Sequence, residues 1–160
     1  PKGALQATVV YFGGSAAVYG GKKIVLNASP DALVNNAQLL SNIAPSYAPP
    51  EHHLLSAAVL GVPALSDEEL FARAMADLRR MFAGSRRALH ALNGYAPLAI
   101  YRIAYAQFPQ PPGTRATLPT SSTGRQGLYF AAEFTDSSSI NGAIASGEAC
   151  AAIVAQWLSQ

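Results

Sequence analysis

The sequence predicts an α+β fold built on an antiparallel or mixed sheet. Three observations lead to this prediction. Short runs of β-branched and aromatic residues alternate with segments rich in glycine and proline, which is typical of strands joined by turns. Two stretches with a helical spacing of apolar residues follow, one in the middle of the chain and one at its end. The 160 residues suffice for one domain, or for one domain and part of a second.

The first part of the chain contains three predicted strands. Residues 7–12 and residues 22–27 are rich in β-branched and large apolar residues, and we expect them to pair as a hairpin. Residues 13–21 are rich in glycine and would form its long connection. Residues 30–50 hold several asparagines and prolines, which predicts a mostly irregular segment. The third strand is expected over residues 52–60.

A helix is predicted to begin after Ser66. Glu69 lies three residues further on, which is the spacing of a capping box. Four apolar residues follow at intervals of four and define one face of the helix: Leu70, Ala74, Leu78 and Phe82. We expect this helix to end at Gly84. A fourth strand is predicted over residues 98–106.

The end of the chain combines an apolar strand with a long helix. Residues 127–134 are apolar at both odd and even positions, which is typical of a central strand in a parallel sheet, and they carry a carboxylate at Glu133. Ser139 is expected to cap a helix that runs to about Leu158. Its predicted apolar side is formed by Ile140, Ala143, Ile144, Ala151, Val154 and Leu158. A strand-end carboxylate and a helix N-terminus would together form a pocket for a polar, planar ligand with a site of negative charge.

This segment also carries a specific motif. Residues 127–133 read GLYFAAE and residues 139–151 read SINGAIASGEACA. The pair resembles the C-terminal flavin motif of FAD-dependent amine oxidases and phytoene desaturases, in which a strand ending in Ala-Gly-Asp/Glu precedes a helix beginning Ser-Ile-x-Gly-Ala. The sequence departs from the motif at Ala132, where the family has glycine. A looser resemblance extends back to residue 48, so that most of the chain is covered.

The resemblance implies a set of cofactor contacts. FAD is the implied cofactor, and Glu133 matches the acidic residue that holds a ribityl hydroxyl. The helix start at Ser139, Ile140, Asn141 and Gly142 would lie beneath the flavin. A helix N-terminus there would stabilise the anion of reduced flavin.

The resemblance also implies a domain organisation. Residues 1–112 would belong to a substrate-binding domain, residues 113–126 to a linker, and residues 127–160 to the last strand and helix of a Rossmann-like FAD-binding domain. The implied substrate-lining residues lie on or just after the fourth strand: Tyr101, Tyr105, Gln107 and Phe108. Ordinary strand packing is an equal alternative for each of them. No catalytic acid or base is assigned, because the cofactor carries the hydride chemistry.

The implied function is the transfer of a hydride from a small apolar substrate, an isoprenoid or an amine, to flavin. A dinucleotide-binding unit needs the pattern Gly-x-Gly-x-x-Gly, which this sequence lacks. We therefore expect an N-terminal FAD-binding half as the partner of this chain, and we expect the chain alone to be inactive. The alternative is a non-catalytic binding or interaction module derived from the same fold. Apolar surface left open would favour a homodimer of the fragment.

Composition argues against several other functions. The net charge is +2 and the basic residues are scattered, so a nucleic-acid interface is not expected. The single cysteine, Cys150, cannot form an intrachain disulfide, which favours a cytoplasmic protein or one peripheral to a membrane. His52 and His53 are adjacent on a predicted strand and should point to opposite faces, so no metal site is predicted.

Overall fold

The computed structural model describes residues 3–159, which form two compact units. The first, here called the sheet unit, comprises residues 6–104. The second, here called the C-terminal unit, comprises residues 105–159 together with residues 3–5. Each unit is described by itself below.

A five-stranded sheet is the main element of the fold. Its strands are β1 (Leu5–Gly14), β2 (Val25–Leu26), β3 (Val34–Leu39), β4 (His53–Leu60) and β5 (Ala96–Gln107). They lie in the order β2-β3-β4-β1-β5. The pairs β1–β4, β3–β4 and β2–β3 are antiparallel. The predicted α+β class and the antiparallel sheet are therefore confirmed.

The helices of the described chain are α1 (Leu40–Ile43), α2 (Asp67–Met81), α3 (Arg86–Leu92) and α4 (Ile140–Leu158). Single turns of 3₁₀-helix occur at Pro45–Tyr47, Thr114–Thr117 and Glu133–Thr135. Among residues 3–159 we find no helix that is both long and apolar enough to cross a membrane.

The hydrophobic core joins one face of the sheet to α2 and α3. Strand β1 alternates as an amphipathic strand should, so that Val10 and Phe12 are buried. They pack in one cluster with Leu55 of β4 and Leu78 of α2. Phe12 also meets Phe71 of α2 edge-on, with ring centroids 5.6 Å apart. Burial of this apolar surface is the main stabilising contribution to the sheet unit.

One buried carboxylate ties α2 to β3. Asp77 is 2% exposed, and its Oδ2 accepts hydrogen bonds from the backbone N–H groups of Leu33 (2.7 Å) and Val34 (2.9 Å). Its Oδ1 is paired with Arg80 one turn further along α2. The carboxylate thus provides an acceptor for two amides at the start of β3.

The predicted capping box at the start of α2 is confirmed. The Ser66 hydroxyl accepts from the Glu69 N–H, and the Glu69 carboxylate accepts from the Ser66 N–H at 2.9 Å. These hydrogen bonds from the Ser66 backbone and side chain hold the pKa of Glu69 below its usual value. The helix ends at Met81, before Gly84, because the chain turns there into the separate helix α3.

Tyr95 closes the core at the start of β5. Its hydroxyl donates to the Ala16 carbonyl at 2.9 Å, and burial raises the pKa of Tyr95 to about 12. The ring lies directly on Gly14, where an added Cβ would come within 2.4 Å of it. A glycine at the end of β1 is therefore required by this close approach.

The predicted hairpin between residues 7–12 and residues 22–27 is wrong. Strand β1 lies between β4 and β5, whereas the short strand β2 pairs with β3. The intervening loop is held instead by Tyr19, whose hydroxyl accepts from the Leu39 N–H at 2.9 Å and donates to the Lys23 carbonyl at 3.0 Å. The hydrogen bond of Tyr19 with Leu39 joins residues 20 apart and leaves no pattern in the local sequence.

The prediction that residues 30–50 are mostly irregular is also wrong. The segment contains β3, α1 and a 3₁₀ turn. A β-bulge between Val34 and Asn36 shifts the register against β4, so the buried positions fall at Val34, Ala37 and Leu39. The bulge interrupts the alternation of apolar and polar residues by which a strand is recognised.

Residues 127–134 do not form the predicted strand. Tyr129 makes an isolated antiparallel bridge with Ser122, and residues 127–134 pair with no strand of the five-stranded sheet, parallel or mixed. Their amides find other acceptors: the Phe130 N–H donates to the Ser121 carbonyl at 2.7 Å, and the Ala132 N–H donates to Ser146 Oγ at 2.8 Å. A parallel strand needs neighbouring strands, and no segment of the described C-terminal unit supplies one.

Helix α4 begins and ends where the sequence predicts. Ser139 is its N-cap and Leu158 its last residue. Its predicted apolar side is largely exposed, however, with Ile140 81% and Leu158 71% accessible. The buried positions of α4 are instead the small residues Gly142 and Ser146.

Candidate functional site

The candidate cofactor site is the turn from Glu133 to Gly142, here called the acidic turn. Glu133 opens the 3₁₀ turn and is half-buried, and its Oε1 accepts a hydrogen bond from Ser138 Oγ at 3.0 Å. Within the described chain no donor is bonded to the other carboxylate oxygen, Oε2. This oxygen is available to accept from a hydroxyl group of a ligand.

Two glutamine side chains bind the backbone of Ser138, the residue whose hydroxyl donates to this carboxylate. Gln110 binds both backbone groups of Ser138, accepting from its N–H at 3.0 Å and donating to its carbonyl at 3.4 Å. Gln107 Nε2 lies 3.5 Å from the same carbonyl. Ser138 is only 3% exposed, so these contacts satisfy backbone groups that are shielded from water.

The N-terminus of α4 offers free backbone donors next to the acidic turn. Ser139 Oγ accepts from the Gly142 N–H at 2.9 Å, and the Ser139 carbonyl accepts from the Ala143 N–H at 3.0 Å. The N–H groups of Ile140 and Asn141 have no acceptor in residues 3–159, and both residues are exposed. Free N–H groups and the positive end of the helix dipole favour negative charge at this point.

Gly142 is required by the close contact between the helix and the turn before it. A Cβ at this position would lie 2.0 Å from the Ser137 carbonyl oxygen. Any larger residue would push the turn away from the helix.

A closed set of hydrogen bonds packs the acidic turn on α4. Ser146 Oγ accepts from the Ala132 N–H at 2.8 Å and lies 2.7 Å from Thr135 Oγ1, which in turn lies 3.1 Å from the Ala132 carbonyl. Thr135 Oγ1 is the donor in both of its contacts, so its single proton lies between Ser146 Oγ and the Ala132 carbonyl. Ser146 is 2% exposed, which makes its hydroxyl part of the packing.

An ion pair lies at the other side of the turn. Arg115 pairs with Asp136 Oδ1, and Asp136 Oδ2 accepts from Ser137 Oγ at 3.2 Å. Both carboxylate oxygens of Asp136 therefore have partners within the C-terminal unit. Glu133 remains the carboxylate of the turn that has an open acceptor.

Tyr101, predicted to line the substrate cavity, lies in the sheet unit. It is 60% exposed and meets Tyr11 edge-on, with ring centroids 5.8 Å apart. Both tyrosines line a groove of about 430 Å³ on the sheet. The other lining residues are Leu40, Tyr47, Leu54, Leu98 and Ala99.

The other three candidate lining residues belong to the C-terminal unit. Tyr105 is 55% exposed, Gln107 contacts the Ser138 carbonyl, and Phe108 has no exposed surface. The role of all three in lining a substrate cavity stays a prediction. In residues 3–159 there is no cluster of three or more histidine, cysteine, aspartate or glutamate side chains that could hold a metal.

The structure therefore brings Glu133, Ser139 and Gly142 together in one turn, with Ile140 and Asn141 at its exposed end. The sequence did not reveal the contributions of Gln110, Ser138 and Ser146. Glutamine and serine side chains that bind distant backbone groups follow no periodicity. The nearest signal is the run of serines before α4, which was interpreted only as a cap.

A protein-family model matches most of the chain. The family model described as flavin containing amine oxidoreductase matches residues 20–155, which is most of the chain. No curated protein sequence matches the chain at a significant level.

Solved structures with a similar fold include two oxidoreductases. One is an oxidoreductase from Methanosarcina mazei, with a TM-score of 0.56 and 18% identity, matched over 90% of this chain and 33% of that chain. The other, from Exiguobacterium sp. 255-15, is named as a candidate protoporphyrinogen oxidase; its TM-score is 0.64 with 18% identity, over 98% of this chain and 36% of that one. The chain thus spans about a third of the length of these structures.

Proposed function

The chain belongs to the flavin-containing amine oxidoreductase family, and on this premise we propose that it is the C-terminal part of an FAD-dependent oxidoreductase that moves a hydride from a small apolar substrate to flavin. The remaining part of the FAD site would come from an N-terminal dinucleotide-binding half. Coverage of only about a third of two similar solved structures supports this division.

The residues of the acidic turn fit a flavin dinucleotide. Glu133 keeps one carboxylate oxygen free for a sugar-like hydroxyl, and Ser138 fixes the other at 3.0 Å. At Gly142 a side chain would collide with Ser137, so the absence of a side chain lets the helix start pack directly on the turn that follows Glu133. These features support the assignment of Glu133, Ser139, Ile140, Asn141 and Gly142 as the cofactor-binding residues.

When bound, FAD supplies the hydride acceptor. The part of this chain is to bind and to orient. Glu133 would accept from a ribityl hydroxyl, while the Ile140 and Asn141 N–H groups would face negative charge on the bound ring. Such donors are already oriented by the helix, so they need no rearrangement when charge develops.

The substrate side of the proposal depends on the sheet unit. Its groove carries Tyr11, Tyr101, Leu54 and Leu98, and apolar or aromatic side chains form most of its walls. A groove of this composition suits an apolar substrate. Tyr101 is the residue of this set that we assign to substrate contact.

The observation that carries the proposal is the free oxygen of Glu133 in the same turn as the free N–H groups of Ile140 and Asn141. The test uses the longer protein that contains this chain, in three forms: wild type, Glu133→Ala and Glu148→Gln. Glu148 lies exposed on α4 and serves as the matched control. FAD affinity is measured from the flavin absorbance retained after desalting and from titration of the apoprotein.

We expect Glu133→Ala to weaken FAD binding by about tenfold or more, because a hydrogen bond to a charged acceptor is lost. Glu148→Gln should bind as wild type does. An affinity of Glu133→Ala for FAD equal to that of the wild type would contradict the assignment.

In a second measurement, the isolated 160-residue chain is mixed with FAD and desalted. A colourless product is expected, and retained flavin would contradict the need for an N-terminal half.

The alternative function is a non-catalytic binding or interaction module of the same fold. The exposed apolar residues of α4, such as Ile140 and Leu158, favour this alternative because they form a surface suited to a protein partner. One simple observation distinguishes the two functions. An oxidoreductase requires a Gly-x-Gly-x-x-Gly segment upstream in the same gene, whereas a module does not.

A further inference from the structure

We propose that an extended segment of the N-terminal half of the protein adds a strand to the outer edge of β5, the edge that faces away from β1, and places an apolar side chain in a groove between β5 and α2. The inference rests on the proposed function only for the existence of that half. The groove shares no lining residue with the groove assigned to the substrate.

The two edges of the sheet differ in length. The strand order β2-β3-β4-β1-β5 makes β2 and β5 the edge strands. Strand β2 has two residues, whereas β5 has twelve, of which residues 96–104 lie in the sheet unit. A very short edge strand is one way in which proteins prevent pairing with another chain. The β2 edge has this protection and the β5 edge does not.

The β5 edge also lacks the charged side chains that usually protect a long edge strand. Residues 98–104 read LAIYRIA, so Arg102 is the single charged residue among them. Its guanidinium lies 2.6 Å from Asp67 Oδ1 and donates to the Leu65 carbonyl at 3.0 Å. Arg102 is thus held against the start of α2. Pro97, which has no N–H to donate, stands before this stretch and leaves residues 98–104 able to pair.

Strand β5 is covered less than the other long strands of the sheet. Strands β1 and β4 alternate regularly between buried and partly buried positions. No residue in the range 96–104 of β5 is fully buried, and Leu98 and Ile103 are 59% and 39% exposed. Apolar side chains exposed along an edge strand are expected where a further segment packs.

A groove of about 570 Å³ opens beside this edge, between α2, β1 and the start of β5. Its walls are mostly apolar, and Asp67 and Glu68 are its two charged lining residues. When a segment adds to a sheet edge, main-chain hydrogen bonds supply affinity and pockets for alternate side chains supply specificity. The edge of β5 and the groove provide these two elements. The other lining residues are Phe12, Phe71, Ala72, Met75, Tyr95 and Pro97.

The N-terminal half is the occupant that the observations favour. Two similar solved structures are matched over 33% and 36% of their length, so about two thirds of a comparable protein lies outside this chain. A segment of the same protein has a high effective concentration at the edge and can occupy it permanently. Permanent occupation explains why the edge carries no protecting charge, because a covered edge does not need one.

The test compares hydrogen exchange at single residues of β5 in the isolated chain and in the longer protein. Alternate amides of a strand point to opposite edges, so β5 has inner amides directed toward β1 and outer amides directed away from it. We expect the outer amides to exchange at least about tenfold more slowly in the longer protein, with the inner amides protected in both.

Three results would overturn the proposal. The first is outer amides that exchange equally fast in both proteins. The second is outer amides that are already protected in an isolated chain shown to be monomeric by sedimentation velocity. The third is protection that appears only when the longer protein dimerises, which would make a second copy the occupant.

Two variants of the longer protein test the groove. Ala72 is exposed and lines it, so the indole of Ala72→Trp would occupy the space of the incoming side chain. We expect the outer amides of β5 to exchange about tenfold faster in this variant, with the inner amides unchanged. Ala76→Trp is the matched control, because Ala76 is exposed one turn further along α2 and does not line the groove. Outer amides as slow in Ala72→Trp as in Ala76→Trp would refute the part of the groove.

The same samples separate this inference from the function proposed above. Flavin absorbance retained after desalting reports on the FAD site, whereas exchange of the outer amides reports on the edge of β5. Retained flavin together with fast outer amides would overturn the added strand alone. A colourless protein with slow outer amides would support the added strand and contradict the FAD site.

Discussion

Different kinds of interaction stabilise the interior of each of the two units. Every member of the buried hydrophobic cluster lies in the sheet unit, between β1, β3, β4 and the helices α2 and α3. In the C-terminal unit the buried residues are mainly small and polar, as at Ser121, Ser138 and Ser146. Apolar packing therefore stabilises the sheet unit, whereas hydrogen bonds from side chains to backbone groups stabilise the C-terminal unit.

The sheet unit has its own hydrophobic core, whereas the C-terminal unit exposes many of its apolar residues. Helix α4 leaves Ile140, Ile144 and Leu158 accessible, whereas α2 buries Leu70 and Leu78 completely. An apolar surface of this kind is expected where another part of a protein packs. The sheet unit should accordingly be the more stable of the two.

The largest expected difference between the two units comes from truncating one apolar side chain in each. Leu55→Ala removes a fully buried side chain from β4 and should lower the free energy of unfolding by about 3 kcal/mol. Ile144→Ala, at a position 57% exposed on α4, should change it by less than about 0.5 kcal/mol. Urea denaturation followed by circular dichroism gives both values. Equal losses would mean that α4 belongs to the same core.

Alanine substitutions at two glycines of α4 should have opposite effects on the stability of the C-terminal unit. Gly142→Ala should destabilise the acidic turn by about 2 kcal/mol, because its Cβ would lie 2.0 Å from the Ser137 carbonyl oxygen. Gly147→Ala meets no atom within 4 Å and should stabilise the helix by about 0.5–1 kcal/mol. Hydrogen exchange of the α4 amides measures both. A stabilising Gly142→Ala would show that the close contact is not maintained in solution.

Helix caps provide a smaller effect that is present in both units. Ser66→Ala and Ser139→Ala each remove an N-cap hydroxyl, and each should cost about 1 kcal/mol. In the sheet unit the loss should appear in global unfolding. In the C-terminal unit it should appear as faster exchange of the first amides of α4, with the exchange of β4 unchanged. Faster exchange of β4 in Ser139→Ala would refute this separation.

The smallest expected effect is a pH dependence from Glu69. Its pKa is lower in the folded chain, so its contribution to stability is present above the pKa of the unfolded state and is lost as the pH falls through the folded value. Between pH values of about 5 and 3, the wild type should therefore lose more stability than Glu69→Gln, which keeps the capping-box geometry. Identical acid profiles would mean that the carboxylate gains nothing from Ser66.

The sheet unit could be predicted in large part from local patterns. Runs of β-branched, aromatic and large apolar residues identified β1, β4 and β5, and the spacing of Ser66 and Glu69 located the start of α2. Strand β3 was missed because its bulge at Val34 breaks the alternation. The pairing partner of β1 was wrong because strand order depends on contacts distant in sequence, which a single sequence does not reveal.

The candidate site was predicted by its motif rather than by its geometry. The motif led to Glu133 and to the start of α4, and the two do meet in one turn. The strand before Glu133 was wrong, because its apolar residues indicate burial but not the partner that would provide it. The clamp of Gln110 on Ser138 could not be foreseen, since a glutamine that binds a backbone 28 residues away has no local signature.

The buried carboxylate of Asp77 has a consequence for the order of folding. Its acceptor oxygen binds amides that are 44 and 43 residues away, at Leu33 and Val34. Until those amides are in place, docking α2 would bury Asp77 Oδ2 without a hydrogen-bond donor, which is unfavourable even though Oδ1 stays paired with Arg80. We therefore expect the helix and the strand to dock together during folding, and a chain truncated before residue 77 should leave the start of β3 without its hydrogen-bond acceptor.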